Sequence, residues 1–310
     1  MSSISTGIAA SVLARLKNEA DRSGEAFNPL LARYVGFRFL YRISQSSLNE
    51  QFLIKGATMF LVWTGSQHRP TRDIDLLLLS ESEVKDLAEA FKEICQIPCL
   101  EDGVMFDPES VSAQPIREDN AYGGTRVTLV GRLGSAKIPL QIDVGLGDVV
   151  TPQPNQVALP SFLDSVPPTV MQGYPVETAI AEKFEAMVSL GMTNSRMKDL
   201  FDIAFLADTM TLTSRELGSA VKATFQRRRT EIPRELPTAL TESFLKNAQV
   251  LARWNAFVKK NKISHPHSDL TFVQARISDL LMPIVNNCPS GMVWSDGTWH
   301  EPEKTPAETP

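Results

Sequence analysis

Two aspartates that stand two positions apart, Asp73 and Asp75, are the residues of this sequence best suited to metal chemistry. Because side chains alternate between the two faces of a β-strand, a strand over 73–79 places both carboxylates on one face and the intervening apolar side chains on the other. Two carboxylates on one face repel each other unless water or a cation lies between them. Magnesium suits the pair, since it takes hard oxygen ligands and fills its remaining positions with water and phosphate. The alternative is that the two aspartates only mark the solvent-exposed start of a strand and bind no metal.

Two further features could join the aspartate pair. Gly56 stands between a short apolar run and a longer apolar segment, a strand–turn–helix pattern in which N–H groups at the helix start could receive phosphate oxygens. In residues 138–144 apolar and polar side chains alternate, and Asp143 lies on the polar face. If that strand neighbours the aspartate strand, Asp143 becomes a third metal ligand or a base for an attacking hydroxyl. An ordinary turn at Gly56 and an exposed strand aspartate at Asp143 are the alternatives.

The elements that must position these residues indicate an α/β fold. Apolar residues at helical spacing or in strand alternation define each predicted element, and Gly134-Ser135 predicts a hairpin turn. The predicted strands lie over 52–54, 73–79, 122–133 and 136–146. The predicted helices lie over 8–16, 27–43, 59–63, 80–95 (with Ser80 as N-cap), 177–190, 196–207, 214–228, 238–248 and 270–285.

Composition shifts along the chain divide it into four predicted parts. Residues 1–150 form a core with N-terminal helices, and residues 151–170, which are rich in proline, form a linker. Residues 171–290 form a helical domain. Residues 291–310 form a tail whose end cannot bury apolar surface and is expected to be disordered.

The bulk numbers exclude several classes of protein. With 43% hydrophobic and 22% charged residues, the chain of 310 residues is expected to fold around a packed core. A formal net charge of −5 argues against a protein that merely coats nucleic acid. Cys95, Cys99 and Cys288 form no C-x-x-C pair, which suits a reducing compartment. The sequence lacks an apolar run of roughly 18–20 residues and a signal-peptide pattern, so we expect a cytoplasmic protein with no membrane partner.

Five motifs follow one another in one order from about Phe27 to Leu206. They are Lys55-Gly56-Ala57-Thr58, Arg69-Pro70-Thr71-Arg72-Asp73-Ile74-Asp75, Tyr122-Gly123-Gly124-Thr125-Arg126, Gln141-Ile142-Asp143-Val144-Gly145, and the helical set Glu177-x-x-x-Ala181-Glu182-Lys183 with Lys198-Asp199-Leu200-Phe201-Asp202. Together they resemble the AbiEii/AbiGii toxin family, which includes the MenT toxins. Members of that family have a fold similar to DNA polymerase β-type nucleotidyltransferases and act in toxin–antitoxin and abortive-infection systems, a form of phage defence.

The resemblance implies a polymerase β-like nucleotidyltransferase core with a mixed sheet, followed by a helical C-terminal region. It implies that the metal, Mg²⁺ or Mn²⁺, binds to Asp73, Asp75 and Asp143. The catalytic residues that it implies are Asp73, Asp75, Lys183 and Asp199. The residues that it implies for nucleotide binding are Lys55, Gly56, Ala57, Thr58, Arg126, Asp143 and Asp202. The family often has serine or glycine where this chain has Ala57, so Thr58 or backbone N–H groups would have to replace that contact with phosphate.

The resemblance also implies an activity. A metal-dependent toxin would transfer a nucleoside monophosphate from a nucleoside triphosphate to an acceptor, which is expected to be an RNA such as tRNA, and a cognate antitoxin encoded nearby would be its partner. One alternative is a nucleotidyltransferase that acts on a small molecule. Another is a degenerate, non-catalytic module that binds nucleotide or a partner, which the alanine at position 57 keeps open.

Three other features of the sequence lie outside the five motifs. The run Gln226-Arg227-Arg228-Arg229 could contact an RNA backbone, or it could simply favour a helix C-terminus. His265-Pro266-His267 has no second ligand pair nearby in the sequence and is expected to be a loop. Trp294 and Trp299 are expected to fold back over the body of the protein.

Overall fold

The computed structural model describes residues 2–65, 73–79, 84–116 and 123–302. The predictions that concern residues 69–72, Ser80, Tyr122 and the disordered end of the tail lie outside the described residues. The chain divides into two compact units. Unit 1 comprises Met1–Asp148 and Pro154–Tyr174, and unit 2 comprises Val149–Gln153 and Pro175–Pro310.

Unit 1 is built on a seven-stranded sheet with the order β3-β4-β5-β2-β1-β7-β6. Its strands are β1 (Phe52–Lys55), β2 (Ile74–Leu78), β3 (Val104–Ile116), β4 (Gly124–Leu133), β5 (Ala136–Leu146), β6 (Asn155–Ala158) and β7 (Val170–Gly173). Two pairs, β2 with β5 and β1 with β7, are parallel, and the other pairs are antiparallel. The predicted α/β class with a mixed sheet is therefore confirmed.

The β4–β5 hairpin follows directly from its sequence. Along β4 half-buried and buried positions alternate without interruption, as expected for a strand with one face on a core. The turn lies at Gly134, whose φ of +60° is a left-handed conformation that glycine adopts without steric cost. The predicted hairpin turn at Gly134-Ser135 is confirmed, and β4 begins two residues later than the predicted strand.

Four α-helices accompany the sheet among the described residues of unit 1: α1 (Ser2–Ser23), α2 (Phe27–Ser44), α3 (Gly56–Thr64) and α4 (Val84–Cys95). Helix α2 buries two arginines, Arg38 and Arg42, which both donate hydrogen bonds to the fully buried carboxylate of Asp102. Burial alone would raise the pKa of Asp102, but the hydrogen bonds from Arg42 and Arg38 lower it below its ordinary value. Asp102 is therefore an ionised anchor between α2 and the start of β3.

The segment over 151–170, predicted to be a linker, contains a strand of the unit 1 sheet. Strand β6 pairs antiparallel with β7, and β7 in turn pairs parallel with β1. Between these strands the side chains of Leu159, Leu163 and Val166 are buried. The burial of these apolar side chains makes the proline-rich segment part of the folded unit. Its proline content alone did not indicate this packing.

Unit 2 contains six helices and a small sheet among its described residues. The helices are α5 (Val176–Leu190), α6 (Met197–Thr209), α7 (Ser214–Arg228), α8 (Glu242–Leu245), α9 (Ala248–Asn261) and α10 (Leu270–Val285). The single helix predicted over 238–248 is wrong: a 3-10 turn, the short α8 and the start of α9 occupy that segment. The break has a local cause, because the side chain of Asn247 accepts hydrogen bonds from the N–H groups of Gln249 and Val250 and so begins α9.

The small sheet of unit 2 has the order β10-β9-β8, with β8 (Leu212–Thr213), β9 (Val293–Ser295) and β10 (Thr298–His300). Trp294 is fully buried, and its Nε1 donates a hydrogen bond of 2.6 Å to the carbonyl of Ala207. Trp299 donates to the carbonyl of Leu280 over 3.0 Å. The predicted fold-back of the two tryptophans is confirmed and takes the form of a hairpin. In the part of the chain that the structure covers, no helix is both long and apolar enough to cross a bilayer.

Candidate active site

Four of the predicted site residues form one row across the sheet of unit 1. Asp75 on β2 lies opposite Lys55 on β1 and opposite Asp143 on β5, and Asp143 lies opposite Arg126 on β4. Residues directly opposite each other on neighbouring strands project to the same face of a sheet. Strand β5 is the neighbour of β2, which is the condition under which Asp143 was expected to join the aspartate pair.

Asp73 directly precedes this row. Strand β2 begins at Ile74, one residue later than predicted, and Asp73 is exposed while Asp75 is half-buried. The alternate positions Ile74, Leu76 and Leu78 are buried, as the sequence pattern indicated. Asp75 is therefore held within β2, whereas Asp73 lies just before the strand and is exposed to solvent.

Gly56 and Asp75 are in close contact. A β-carbon on Gly56 would lie 2.6 Å from Cγ and 2.7 Å from Cβ of Asp75, and nearer still to the carboxylate oxygen Oδ2. The φ of Gly56 is +63°, which side-chain-bearing residues rarely adopt. The glycine is therefore required on two counts, and its role at the start of α3 is tied directly to the position of the Asp75 carboxylate.

Arg126 and Asp143 form a bidentate pair, with Nε to Oδ1 and Nη2 to Oδ2 both at 2.8 Å. The hydrogen bonds to Asp143 raise the pKa of Arg126 above its ordinary value, and the negative charges of Asp143, Asp73 and Asp75 act in the same direction. The amide of Gln141 also donates to Oδ1 of Asp143 over 3.4 Å. Arg126 is thus a permanent cation in the field of all three aspartates.

Lys55 lies at the other end of the row and has partners that the sequence did not indicate. Its Nζ is 3.2 Å from Oδ2 of Asp148 and 4.7 Å from the centre of the Tyr174 ring. Asp148 follows the end of β5, and Tyr174 follows β7, so neither lies in an alternating pattern. No signal in the sequence linked them to Lys55, because the three residues meet only through the pairing of β2 with β5 and of β1 with β2 and β7.

The first turn of α3 carries the other two residues predicted to bind nucleotide. Ala57 and Thr58 are only 6% and 7% exposed, so both side chains face the protein interior. This burial favours backbone N–H groups, rather than the Thr58 hydroxyl, as the donors available to a phosphate at the start of the helix.

Unit 2 holds the remaining predicted residues in a separate cluster. The Nζ of Lys183 on α5 donates to Asp199 Oδ1 and to Asp202 Oδ2 on α6, each over 2.9 Å. Both aspartates are buried. Arg196, which was not among the predicted residues, places its Nε 2.7 Å from Asp199 Oδ2. Its position three residues before Asp199 on a helix was the only available sequence signal.

The charges of this cluster restrict its chemistry. Burial alone would lower the pKa of Lys183, but Asp199 and Asp202 raise it above its ordinary value. Burial alone would raise the pKa of Asp199, but Lys183 and Arg196 lower it. At neutral pH Lys183 is therefore a cation and Asp199 an anion. Lys183 can supply charge or donate hydrogen bonds, but it cannot act as a general base.

The donor set of unit 1 fits a hard divalent cation better with two protein carboxylates than with three. Within residues 2–65, 73–79, 84–116 and 123–302, no three His, Cys, Asp or Glu side chains gather closely enough to form a metal site. Asp143 gives both carboxylate oxygens to Arg126. Asp73 and Asp75 supply two carboxylates at the start of β2. Mg²⁺ commonly takes one or two such ligands with phosphate and water as the others.

The basic run and the histidine loop belong to unit 2. Arg228 bonds to Glu185 over 2.9 Å, which links α7 to α5. Arg229 ends α7 in a left-handed conformation with a φ of 54°. In the loop, His267 Nε2 lies 2.8 Å from Asp208 Oδ2. Two of these residues thus already serve local packing, which favours the structural alternative for Arg228 and His267.

Comparison with known proteins places this site in context. Residues 38–276 match the family model described as nucleotidyl transferase AbiEii toxin, Type IV TA system. No curated protein matches the sequence significantly. Two solved Helicobacter pylori structures show a distant overall likeness. JHP933 is 14% identical, with a TM-score of 0.46 over 85% of this chain and 94% of its own. A candidate nucleotidyltransferase is 15% identical, with a TM-score of 0.47 over 85% of this chain and 97% of its own.

The matched region contains the whole row from Lys55 to Asp143 and also the Lys183 cluster. It extends over more than half of the chain, which confirms the family indicated by the order of the motifs. The protein belongs to the AbiEii family of nucleotidyltransferase toxins of type IV toxin–antitoxin systems.

Proposed function

We propose that this protein transfers a nucleoside monophosphate from a nucleoside triphosphate to an RNA acceptor, such as tRNA, in a reaction that requires Mg²⁺ or Mn²⁺. Family membership supports the transfer reaction and the role as a toxin with a cognate antitoxin. The RNA acceptor rests on the resemblance of the motifs. The observation that carries the catalytic part is the close approach of Gly56 and Asp75, because it brings the turn proposed to bind phosphate next to the carboxylate proposed to bind the metal.

Each residue of the row has a proposed task. Asp73 and Asp75 hold the divalent metal, which neutralises charge on the triphosphate when it is bound. Backbone N–H groups of the first turn of α3 and the ammonium of Lys55 bind the phosphates. Arg126 offers a fixed positive charge, and Asp143 holds its guanidinium in one orientation through two hydrogen bonds.

The reaction balances without a redox partner. A hydroxyl of the acceptor attacks the α-phosphorus, the bond to the β-phosphate oxygen breaks, and pyrophosphate leaves. The hydroxyl proton passes to water, because both carboxylate oxygens of Asp143 accept hydrogen bonds from Arg126. Lys183 contributes a positive charge, which Asp199 and Asp202 hold in place in unit 2.

Substitution of Asp75 by asparagine tests this proposal. Asp75→Asn keeps the size of the side chain and removes one anionic metal ligand, so transfer of labelled nucleotide to bulk tRNA should fall on the order of 100-fold or more. Growth arrest by the expressed protein should be lost as well. The matched control is Asp107→Asn, an aspartate of the same sheet that pairs with Arg132 on β4.

The outcomes separate the alternatives. Undiminished transfer by Asp75→Asn would contradict the proposed active site. Label that appears in a small-molecule fraction and leaves RNA unlabelled would replace the RNA acceptor with a metabolite. Nucleotide binding in calorimetry without any release of pyrophosphate would support the non-catalytic binding module.

A further inference from the structure

Helix α9 and the loop after it form a basic stretch of unit 2. Residues 246–268 contain five lysines and arginines and no aspartate or glutamate, whereas the whole chain has 36 acidic and 31 basic residues. We name as the α9 basic surface the four exposed residues Arg253, Lys259, Lys260 and Lys262. The whole chain has a net charge of −5, so this basic segment creates a positive electrostatic potential that is confined to α9 and the loop after it.

These four cations are not used by the fold. None of them forms an ion pair with any residue that the structure describes, in contrast to Lys246, which lies 2.6 Å from Glu242. The attraction of cations to a helix C-terminus accounts for Lys259, Lys260 and Lys262. It does not account for Arg253, which lies in the middle of α9. The surface therefore has a positive charge that intramolecular contacts leave available.

The helix that presents this charge is anchored on its other face. Trp254 is buried, and its Nε1 donates a hydrogen bond of 2.8 Å to the carbonyl of Ser268. Phe257 packs against Trp254 and against Phe201 of α6, at 5.7 Å and 5.8 Å between ring centres. The basic side chains consequently project from a backbone that is already fixed, which lowers the entropic cost of binding a partner.

The spacing of the surface suits an extended polyanion. Arg253 and Lys260 are seven residues apart, which places them on the same side of the helix with a separation of roughly 10 Å along its axis. Protein interfaces usually centre on large buried anchors such as tryptophan or tyrosine. Here Leu251 is the single large apolar residue of the described part of α9 that is clearly exposed. Phosphates, rather than a protein, are the groups that this surface is equipped to bind.

We propose that the α9 basic surface binds the sugar–phosphate backbone of the RNA acceptor. This inference rests on the proposed function and adds to it a docking surface outside the catalytic row. Binding through phosphates positions a nucleic acid without reading its sequence. Specificity for one acceptor would then depend on other contacts, and α9 would supply affinity for RNA in general.

The test compares two double variants of the full-length protein. Arg253→Gln/Lys260→Gln removes two charges from the α9 basic surface. Arg215→Gln/Lys222→Gln is the matched control, because these two exposed residues have the same seven-residue spacing on α7, where Glu216 directly follows Arg215. Binding of fluorescent, deacylated bulk tRNA is measured by anisotropy at several salt concentrations.

The α9 variant should bind tRNA on the order of tenfold more weakly at physiological salt, and the magnitude of its slope of log K against log salt should fall by about 1.4–1.8. The α7 control should match the unaltered protein. In transfer assays the α9 variant should show a higher KM for tRNA with kcat and nucleoside triphosphate affinity unchanged. Equal tRNA affinity and equal salt slopes for the α9 variant and the unaltered protein would overturn the inference.

Failure of this inference and failure of the proposed function give different results. If the α9 variant labels RNA as efficiently as the unaltered protein at low RNA concentration, the docking surface is wrong and the transfer reaction stands. If tRNA binding depends on α9 but only a metabolite is labelled, the surface stands and the RNA acceptor is wrong. If the variant keeps RNA binding and loses only its neutralisation by the antitoxin, the surface binds protein and the inference is overturned.

Discussion

The carboxylate of Asp75 occupies the space that a side chain on Gly56 would need. The two residues are far enough apart in sequence that no local pattern connects them, yet the antiparallel pairing of β1 with β2 brings them together. The turn that begins α3 and the acidic position of β2 are therefore one structural feature, and a change in either affects the other.

Gly56→Ala should abolish transfer because the new methyl group would displace Asp75. The left-handed φ of +63° adds a strain of about 1–2 kcal/mol. Gly65→Ala is the matched control, since Gly65 ends the same helix with a φ of +68° and a β-carbon there would meet nothing within 4 Å. We expect the control to lose a similar amount of stability in thermal denaturation and to keep its activity. Loss of activity in both variants would point to general destabilisation instead.

Asp143→Asn should reduce transfer by about 10- to 100-fold, the usual effect of losing a partner that orients an active-site group. Asparagine cannot accept two charge-assisted hydrogen bonds from Arg126, so the guanidinium loses its fixed orientation. Stability should change by less than about 1 kcal/mol, because both side chains are partly exposed to water. Steady-state kinetics together with a melting curve would check both statements. An Asp143→Asn enzyme with unchanged kcat and KM would remove this residue from the proposed site.

Lys183→Met should destabilise unit 2 by about 3–5 kcal/mol, because two buried carboxylates would lose their shared cation. Lys222→Met, at an exposed position of α7, should cost far less. Urea denaturation of both variants measures the difference. The further variant Lys183→Met/Asp199→Asn should recover part of the loss, since it removes one of the uncompensated charges. Equal stability of the two single variants would contradict the buried charge pair.

Asp199 should make the protein more sensitive to acid. Its pKa is lower in the folded chain than in the unfolded one, so its contribution to stability is complete at a pH above about 4 and is lost as the pH falls through the folded pKa. Lys183 has a raised pKa, and its contribution is lost only in alkali, as the pH rises through its folded value. Asp199→Asn should therefore flatten the decline of the melting temperature below about pH 4. An unchanged decline would show that the acid sensitivity has another origin.

The sequence predicts features that depend on residues close together in the chain better than features that depend on contacts between distant segments. Strand alternation correctly assigned Ile74 and Leu76 to the core and Asp75 to the other face, and the hairpin at Gly134 followed from its turn residues. These features are encoded within a few residues. The order of strands in the sheet is not, so the sequence could state only conditionally that Asp143 lies beside Asp75.

The features that the sequence did not predict depend on long-range packing or on very short elements. Strands β6, β7, β9 and β10 are only three or four residues long, too short to show a period. The pairing of Lys55 with Asp148 and Tyr174 depends on three strands that are distant in the sequence. The helix predicted over 238–248 failed because the capping of α9 by Asn247 outweighed a continuous helical pattern.

The row formed by Lys55, Asp75, Asp143 and Arg126 has a consequence for how this protein can vary. A shift of β5 by one residue would bring Ile142 out to the polar face and turn Asp143 into the core. The apolar residues that bury one face of β5 therefore also fix the alignment of the charged residues on the other face. A mutation outside the core can remove any single charge of the row. The packing of the core still fixes the strand register and therefore keeps the four positions aligned.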